Sequence, residues 1–356
     1  MNRLFAAARV RHLVLLALLL TTAACASAPE PNAPPPSARQ ASPRPVKVLI
    51  ISMFGPEAEV WREPLGPSDE IVVPGLSADY PTVRCNASDV CQMTTGMGHA
   101  NAAASIAALV FSGRFDLHHT YFLIAGIAGI DPKLGTIGSA AWARYLVDYG
   151  IAHEIDSRET PKGWRSGYFG IDTSGPAEKP PFNYRTEVFQ LDEDLLQWAL
   201  ALSRPVPLRD SDAARAYRRH YAALPGARGP SVIQCDTAAG DTWWQGRALG
   251  ERAERWVALL TDGKGEYCTT QQEDNASFEA LKRGAGAHLL DLRRVAVLRT
   301  GADFDRPYRG QSAYASLKAQ TGGFPLATAN LVVAGLPLVT EIVSHWDRWA
   351  GDIPKR

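Results

Sequence analysis

From residue 46 onward, short apolar runs alternate with segments of helical periodicity. The runs at 46–52, 121–125 and 295–299 are almost uninterrupted, a pattern typical of strands buried on both faces. Helical patterns follow at 98–111, 191–202, 210–223, 242–260, 275–283 and about 325–346. This alternation predicts an α/β fold: a single three-layer α/β/α domain with a parallel or mixed central sheet, covered by helices on both faces.

Residues 1–25 are predicted to be a signal peptide of the lipoprotein type. Arg3, Arg9 and Arg11 precede a short apolar core, and small residues lead to Cys25. The residues before Cys25 resemble a bacterial lipobox, which predicts a lipid on that cysteine; simple cleavage near Ala28 is the alternative. We therefore expect an exported protein, either periplasmic or anchored to a membrane through Cys25 alone.

The rest of the chain divides into a tether and a domain. Residues 26–45 are rich in Pro, Ala and Ser, which predicts a semi-extended tether. Residues 46–356 are predicted to form the domain, with a loop-rich insertion at about 155–230 that could serve as a lid or a partner surface.

The charge balance argues against a nucleic-acid partner. The 356 residues include 37 Lys+Arg and 37 Asp+Glu, and removal of the three leader arginines leaves 34 bases against 37 acids. A protein that binds nucleic acid by neutralising phosphates would normally show a basic excess. The mean hydropathy of −0.14, with no second apolar run of about 18 residues, argues against a polytopic membrane protein.

Four cysteines remain in the domain, and export would permit disulfides between them. Cys85 and Cys91 flank a turn and could bridge a hairpin, which would leave Cys235 and Cys268 as the second pair. Other connectivities, or four unpaired thiols, stay open at this point. Neither a Cys-x-x-Cys motif nor a paired histidine spacing is present, so no metal site is predicted.

Polar residues and glycine turns follow the predicted strands. In an open α/β sheet, ligands bind beyond the carboxyl ends of the strands. The residues found at these ends are Glu57, Glu59, His99, Gly126, Ala128, Gly129, Asp241, Trp243, Trp244, Glu273, Asp274, Asn275, Asp303 and Asp305. This set of acids, paired aromatics and glycine turns is the candidate ligand site.

The same segments resemble a known family. FGPEAEVW, TTGMGHANAAAS, FLIAGIAGIDP, CDTAAGDTWWQG, TTQQEDNA and VLRTGADFD together are similar to the purine nucleoside permeases, over roughly residues 46–350. The resemblance implies the fold of the nucleoside phosphorylase/nucleosidase superfamily, a purine nucleoside as ligand and no cofactor. A homo-oligomer is compatible with it, although nothing in the chain selects a number of subunits.

The resemblance also implies three catalytic carboxylates. Cleavage of an N-glycosidic bond needs a base for the attacking water and an acid for the leaving purine. Glu59 matches the water-activating position, and Asp303 matches the acid beside the purine, with Asp305 as its local competitor. Asp274 matches the ribose-binding acid, although a shift of one residue selects Glu273. Each acid also has a structural reading, as a helix or turn cap.

Further residues match nucleoside-binding positions. Trp243 would stack on the base, and Asp241 and Trp244 lie in the same segment; a core position is the alternative for both tryptophans. Gly126, Ala128 and Gly129 would let the backbone approach the sugar, or would form a simple tight turn. Asn275 and Asp305 join the binding set from the acidic segments, and His99 would face the ribose 5′ end or an anion, or else solvent.

The expected function is an exported purine nucleoside-handling protein that hydrolyses the N-glycosidic bond. The loop at 53–59 holds two acids and no arginine before Arg62, which favours water over phosphate as the acceptor. The alternative is a non-catalytic nucleoside-binding protein that assists transmembrane transport.

Overall fold

The computed structural model describes residues 42–356. The predicted signal peptide, its Cys25 and the tether up to residue 41 therefore lie outside the described residues. Residues 42–356 form one compact unit.

Strands and helices alternate along this unit, as the sequence pattern predicts. The strands are β1 Arg44–Pro45, β2 Val48–Ser52, β3 Ser68–Val72, β4 Thr82–Asn86, β5 Val90–Thr94, β6 Phe115–Asp116, β7 Tyr121–Ile130, β8 Ala140–Trp142, β9 Tyr145–Asp148, β10 His153–Glu154, β11 Tyr168–Phe169, β12 Val188–Gln190, β13 Val232–Gln234, β14 Asp236–Ala239, β15 Tyr267–Gln271 and β16 Val295–Phe304. The α-helices are α1 Gly55–Glu59, α2 Arg62–Leu65, α3 His99–Val110, α4 Glu193–Ser203, α5 Asp212–Arg218, α6 Arg247–Leu260, α7 Asp274–Gly286, α8 Ala313–Leu317, α9 Gly323–Ser344 and α10 Trp346–Trp349.

The central sheet is mixed and is organised around β7. Its main path runs β12-β9-β14-β15-β7-β2-β5-β4-β3, and β16, β8 and β13 extend it from β7. Strand β7 runs parallel to β2 and β16, whereas its last residues pair antiparallel with β15. The ends of β2, β15 and β16 therefore approach the second half of β7, where Gly126 lies opposite Arg299.

Helices cover both faces of this sheet because its strands are apolar on both sides. Along β2, Leu49 and Ile51 pack in one core cluster with residues of α3 and α7. Val48 and Ile50 pack in another cluster with residues of α4 and α9. Successive side chains of a strand point to opposite faces, so these two clusters are the two helix–sheet interfaces of a three-layer α/β/α domain.

The chain has a second long apolar segment, contrary to the expectation from sequence. Among the described residues, Gly323–Ser344 is long and apolar enough to cross a membrane, with a hydropathy of 1.8. It packs against β16, and 56% of its most apolar window is buried inside the domain. Its apolar character is therefore explained by its place in the core layer.

Two disulfides are present in the described chain. Cys85 and Cys91 join the adjacent strands β4 and β5, and Cys235 joins Cys268 at the start of β15. Of the pairings left open by the sequence, the structure has the one with a hairpin bridge.

The predicted insertion contains an irregular segment and a helix that packs in the core. Between β10 and β12, the chain at 155–187 is largely irregular and includes only β11. Helix α4, which lies inside the predicted insertion, belongs instead to the core layer. The predicted helix 242–260 begins only at Arg247, because 240–246 is a loop that carries both tryptophans.

Candidate functional site

A buried glutamate follows the first core strand. Helix α1 is a single turn after β2, and it places Glu57 inside the protein at 1% exposure. The two carboxylate oxygens of Glu57 accept hydrogen bonds from the backbone N–H groups of Ile127 (2.7 Å) and Met53 (2.8 Å). Burial raises the pKa of Glu57 to about 7, although the nearby Arg299 guanidinium partly opposes that rise.

Arg299 holds two further acids beside Glu57. Its Nη2 donates to Asp274 at 2.6 Å and to Glu273 at 3.3 Å, and all three side chains are buried. A buried guanidinium is stable only when paired and hydrogen-bonded, so the two acids at the start of α7 compensate this charge within an apolar strand. We call Glu57, Glu273, Asp274 and Arg299 the carboxylate cluster.

Gly126 of β7 leaves space for this cluster. A Cβ at this position would collide with Nη1 of Arg299 and lie 2.8 Å from Oε1 of Glu57. The same strand continues through Ala128, which is fully buried, to Gly129, which pairs in register with Asp303. Gly126 and Gly129 are three residues apart, so the backbone positions paired with Arg299 and with Asp303 are about 10 Å apart along the strand.

Asp303 lies at the end of β16, beyond an irregularity in the strand register. Its Oδ1 accepts a hydrogen bond from Thr321 Oγ1 at 2.8 Å. Burial raises the pKa of Asp303 to about 6, with the Thr321 hydrogen bond acting in the opposite direction. The side chain therefore keeps its proton up to about pH 6, well above the range of an ordinary aspartate.

The N-terminus of α3 connects two other predicted residues to the cluster. The backbone N–H of His99 donates to Asp241 at 2.7 Å, and that of Gly98 donates to Glu273 at 3.1 Å. Gly98 has a φ of 89°, a conformation that glycine adopts readily. Nε2 of His99 is buried and has no hydrogen-bond partner among the described residues.

The two adjacent tryptophans have different surroundings. Trp243 is 41% exposed, so its ring is accessible to a ligand. Trp244 is buried and stacks on Tyr149, with ring centroids 5.2 Å apart. The side chain of Trp244 thus belongs to the core, and only its backbone is available for the contact suggested by the sequence.

Glu59 does not join the carboxylate cluster. Its side chain is 66% exposed and pairs with Arg62 at 2.6 Å. Residues two apart on an α-helix lie on roughly opposite sides, so the inward position of Glu57 turns Glu59 toward solvent. The carboxylate that follows β2 inside the protein is therefore Glu57, which corrects the assignment of Glu59 from sequence.

Two other predicted residues are engaged by the protein itself. Asp305 pairs with Arg306 at 2.7 Å and accepts a hydrogen bond from Tyr267 at 2.9 Å in a buried network. Asn275 donates to the carbonyl of Thr186 at 2.8 Å and so ties α7 to the irregular segment. Neither contact aims the side chain at a ligand.

Sequence reasoning gave Arg299 no role of its own. A charged residue in the middle of a buried strand is rarely found without partners, and that pattern could have singled it out. Its partners follow β15, about 25 positions away in the chain, so sequence spacing did not reveal them. Within residues 42–356, no group of three or more His, Cys, Asp or Glu is arranged to hold a metal ion.

Sequence comparisons identify a family model and several relatives that match most of the described chain. The family model described as purine nucleoside permease matches residues 45–354. A relative in Schizosaccharomyces pombe, described as a probable purine nucleoside permease, is 42% identical over 316 residues, covering 85% of this chain and 90% of the relative. A purine nucleoside permease of Candida albicans is 37% identical over 308 residues, covering 85% and 76%.

Comparisons of structure agree with the predicted fold. A 5′-methylthioadenosine/S-adenosylhomocysteine nucleosidase of Neisseria meningitidis matches with a TM-score of 0.51 and 15% identity, covering 83% of this chain and 99% of that one. Futalosine hydrolase of Helicobacter pylori matches with a TM-score of 0.51 and 14% identity, covering 83% and 98%. The mixed α/β fold is nucleoside phosphorylase-like, which confirms the fold expected from the sequence.

Proposed function

The chain belongs to the purine nucleoside permease family, and on that premise we propose that it binds a purine nucleoside and hydrolyses its N-glycosidic bond. The observation that carries this proposal is the carboxylate cluster, where a buried Glu57 with a pKa of about 7 lies beside Arg299. A general base works best when its pKa is close to the working pH, and this carboxyl has that property.

In the proposed reaction, Glu57 takes a proton from water. The water oxygen forms a bond to C1′ of the ribose, the bond from C1′ to the purine nitrogen breaks, and its electron pair moves into the purine ring. Protonated Asp303 gives its proton to the departing base. The products are the free purine and ribose, and the atoms and charges balance.

The remaining residues are proposed to hold the nucleoside. Acceptors are needed for the ribose hydroxyls, and Asp274 and Glu273 supply carboxylate oxygens next to the attacking water. The exposed ring of Trp243 offers a face for the purine. Gly129 is proposed to let the ligand approach the β7 backbone beside Asp303, whereas the space beside Gly126 is already filled by Arg299 and Glu57.

Water is a better acceptor than phosphate at this site. The cluster contains three carboxylates and one guanidinium, and Arg62 is already paired with Glu59 outside the site. A phosphate dianion would be repelled by this negative surplus at close range. Hydrolysis is therefore proposed rather than phosphorolysis.

A second function is nucleoside binding that assists uptake without cleavage. It is favoured by the names of the relatives, which are described as permeases. A protein that only binds would have no need for two carboxyls with pKa values raised by burial, Glu57 (about 7) and Asp303 (about 6).

The experiment is incubation of the purified protein with inosine, adenosine or guanosine, with and without phosphate, followed by chromatography of the bases. Free base without phosphate is the expected result. Release only with phosphate would replace hydrolysis by phosphorolysis. Tight nucleoside binding with no base released would leave the binding function and overturn the enzymatic one.

We also propose that the protein is exported and carries a lipid on Cys25. The support is the arginine-rich start, the apolar run and the small residues before Cys25. Cells expressing the full chain should place it in the membrane fraction, labelled by a radioactive fatty acid. Cys25→Ser should abolish the label, and an unlabelled wild type would contradict lipidation.

A further inference from the structure

A large cavity lies between the irregular segment and α6, apart from the carboxylate cluster. Its volume is about 1040 Å³, and its lining comes from 163–178 and from α6. The rings of Trp164, Tyr168 and Trp256 contribute aromatic surface, and Arg165, Arg252 and Arg255 contribute positive charge.

Arg252 is the unusual residue of this cavity. It is only 4% exposed, and its guanidinium carbon lies 3.7 Å from the ring centroid of Tyr149 and 4.0 Å from that of Tyr168. Nη2 donates to the Tyr149 carbonyl at 2.8 Å. Nε and Nη1 have no acceptor among the residues that the structure describes.

In the part of the chain that the structure describes, the buried Arg252 guanidinium lacks a counter-ion and has no hydrogen-bond acceptor for Nε and Nη1. Stacking between two rings stabilises a guanidinium, but buried N–H groups without acceptors and a buried charge without a counter-ion are both costly. Within residues 42–356, Arg252 forms no ion pair with an acid, unlike the buried Arg299 and Arg306. An anionic ligand would supply both the acceptors and the counter-charge.

Charge decides on which side of Arg252 the anion would bind. A smaller cavity of about 360 Å³ shares Arg252 and Tyr168, but Asp148, Glu154 and Asp241 line it and would repel an anion. The larger cavity has three arginines and one acid, Glu178, whose Oε2 is occupied by the backbone N–H of Ser174 at 2.7 Å.

The other two arginines are available to a ligand. Arg255 has only a long contact of 3.8 Å with Glu251, and Arg165 lines the same cavity. Both are exposed at the cavity wall, so they can move toward an anion that enters.

We propose that this cavity is a second ligand site, which takes an organic anion with an aromatic ring. The ring packs against Trp164 and Trp256, and a phosphate or carboxylate group accepts hydrogen bonds from Arg252, with Arg165 and Arg255 at the entrance. The volume lies just above the range of about 300–1,000 Å³ that is typical of small-molecule sites. The site does not depend on whether the protein cleaves nucleosides.

Calorimetric titration of the full chain tests the proposal. The chain carries Asp303→Asn, which should bind inosine without cleaving it, so that inosine at saturating concentration keeps the nucleoside site occupied. The probes are adenosine 5′-monophosphate, 1-naphthoate and inorganic phosphate, which distinguish an aromatic phosphate from an aromatic carboxylate and from an anion alone. We expect one of the two aromatic anions to bind at one site per chain and inorganic phosphate to bind at least tenfold more weakly.

Variants locate the binding. Arg165→Gln and Arg255→Gln, at exposed positions that should not disturb folding, are each expected to weaken the binding of the aromatic anion about tenfold. Arg252→Met should abolish it. Arg309→Gln removes an exposed arginine away from the cavity and should leave binding unchanged. The proposal is overturned if neither aromatic probe binds, if inosine displaces the probe, or if Arg165→Gln and Arg255→Gln bind as tightly as Arg309→Gln.

Discussion

Replacing Glu57 by glutamine keeps the shape of the side chain and removes its titration. The carboxyl has a pKa of about 7 in the native protein against 4.5 for the unperturbed group, because burial disfavours its charged form. The unfolded chain therefore loses this proton at a lower pH than the native chain. The ionised carboxylate destabilises the native state, and this penalty grows as pH rises through the interval between the two values.

The size of the effect follows from the two pKa values. Linkage gives a penalty of about 0.8 kcal/mol at pH 5 and about 3.3 kcal/mol at pH 8 for wild type, and none for Glu57→Gln. The variant should therefore gain about 2.5 kcal/mol of stability relative to wild type between these pH values. For a domain of this size, that corresponds to a difference in Tm of about 5 °C.

Activity should change in the opposite direction. Without a base to take the proton from water, base release from inosine should fall by a factor of about 10² to 10⁴. One buried N–H, of Met53 or Ile127, loses its acceptor in the variant at every pH, so the prediction concerns the growth of the stability difference with pH and not its absolute sign.

The assay is thermal unfolding of wild type, Glu57→Gln and Glu59→Gln at pH 5 and pH 8, together with base release at neutral pH. Glu59→Gln is the matched control, because that side chain is 66% exposed in a surface ion pair and should change neither quantity appreciably. A Tm difference between Glu57→Gln and wild type that does not grow with pH would refute the raised pKa. Turnover within tenfold of wild type would refute the role of Glu57 as base.

Three further predictions concern the rest of the site. Asp303→Asn should retain nucleoside binding and lose base release, because the leaving purine then has no proton donor. In wild type, a plot of kcat/KM against pH should be bell-shaped, with a maximum near pH 6.5, between the pKa of Asp303 (about 6) and that of Glu57 (about 7). Gly126→Ala should lower the unfolding free energy by about 1–3 kcal/mol, measured by denaturant titration, because its Cβ would collide with Arg299. Trp243→Ala should weaken inosine binding by calorimetry about tenfold, because the stacking face is lost.

Matched variants accompany these three. Gly229→Ala adds a Cβ where nothing lies within 4 Å and should leave stability unchanged. Tyr314→Ala removes another exposed ring (73% exposed) and should leave inosine binding unchanged. Unchanged turnover in Asp303→Asn, a Gly126→Ala as stable as Gly229→Ala, or inosine binding equal in the two aromatic variants would each contradict the corresponding assignment.

The sequence by itself determined the layers of the fold. Runs such as 48–51 and 121–125 are apolar at every position, which requires cover on both faces, and the helical segments between them supply that cover. It also determined that acids and glycines follow the strands, which is where an α/β sheet binds ligands.

Only the tertiary structure decided which of these residues meet. Glu57 and Glu59 are both glutamates just after the first core strand, so the sequence does not distinguish them. The orientation of α1 against the sheet decides which one points inward, and it buries Glu57 together with Ala58 and Trp61. Arg299 finds its acids across strands that are distant in sequence, while Asp305 is held by its neighbour Arg306. The local sequence pattern determines which face of a strand or helix is buried and where the chain turns. The partners of a buried charge depend instead on which strands are neighbours, and strand order is set by the packing of the whole sheet.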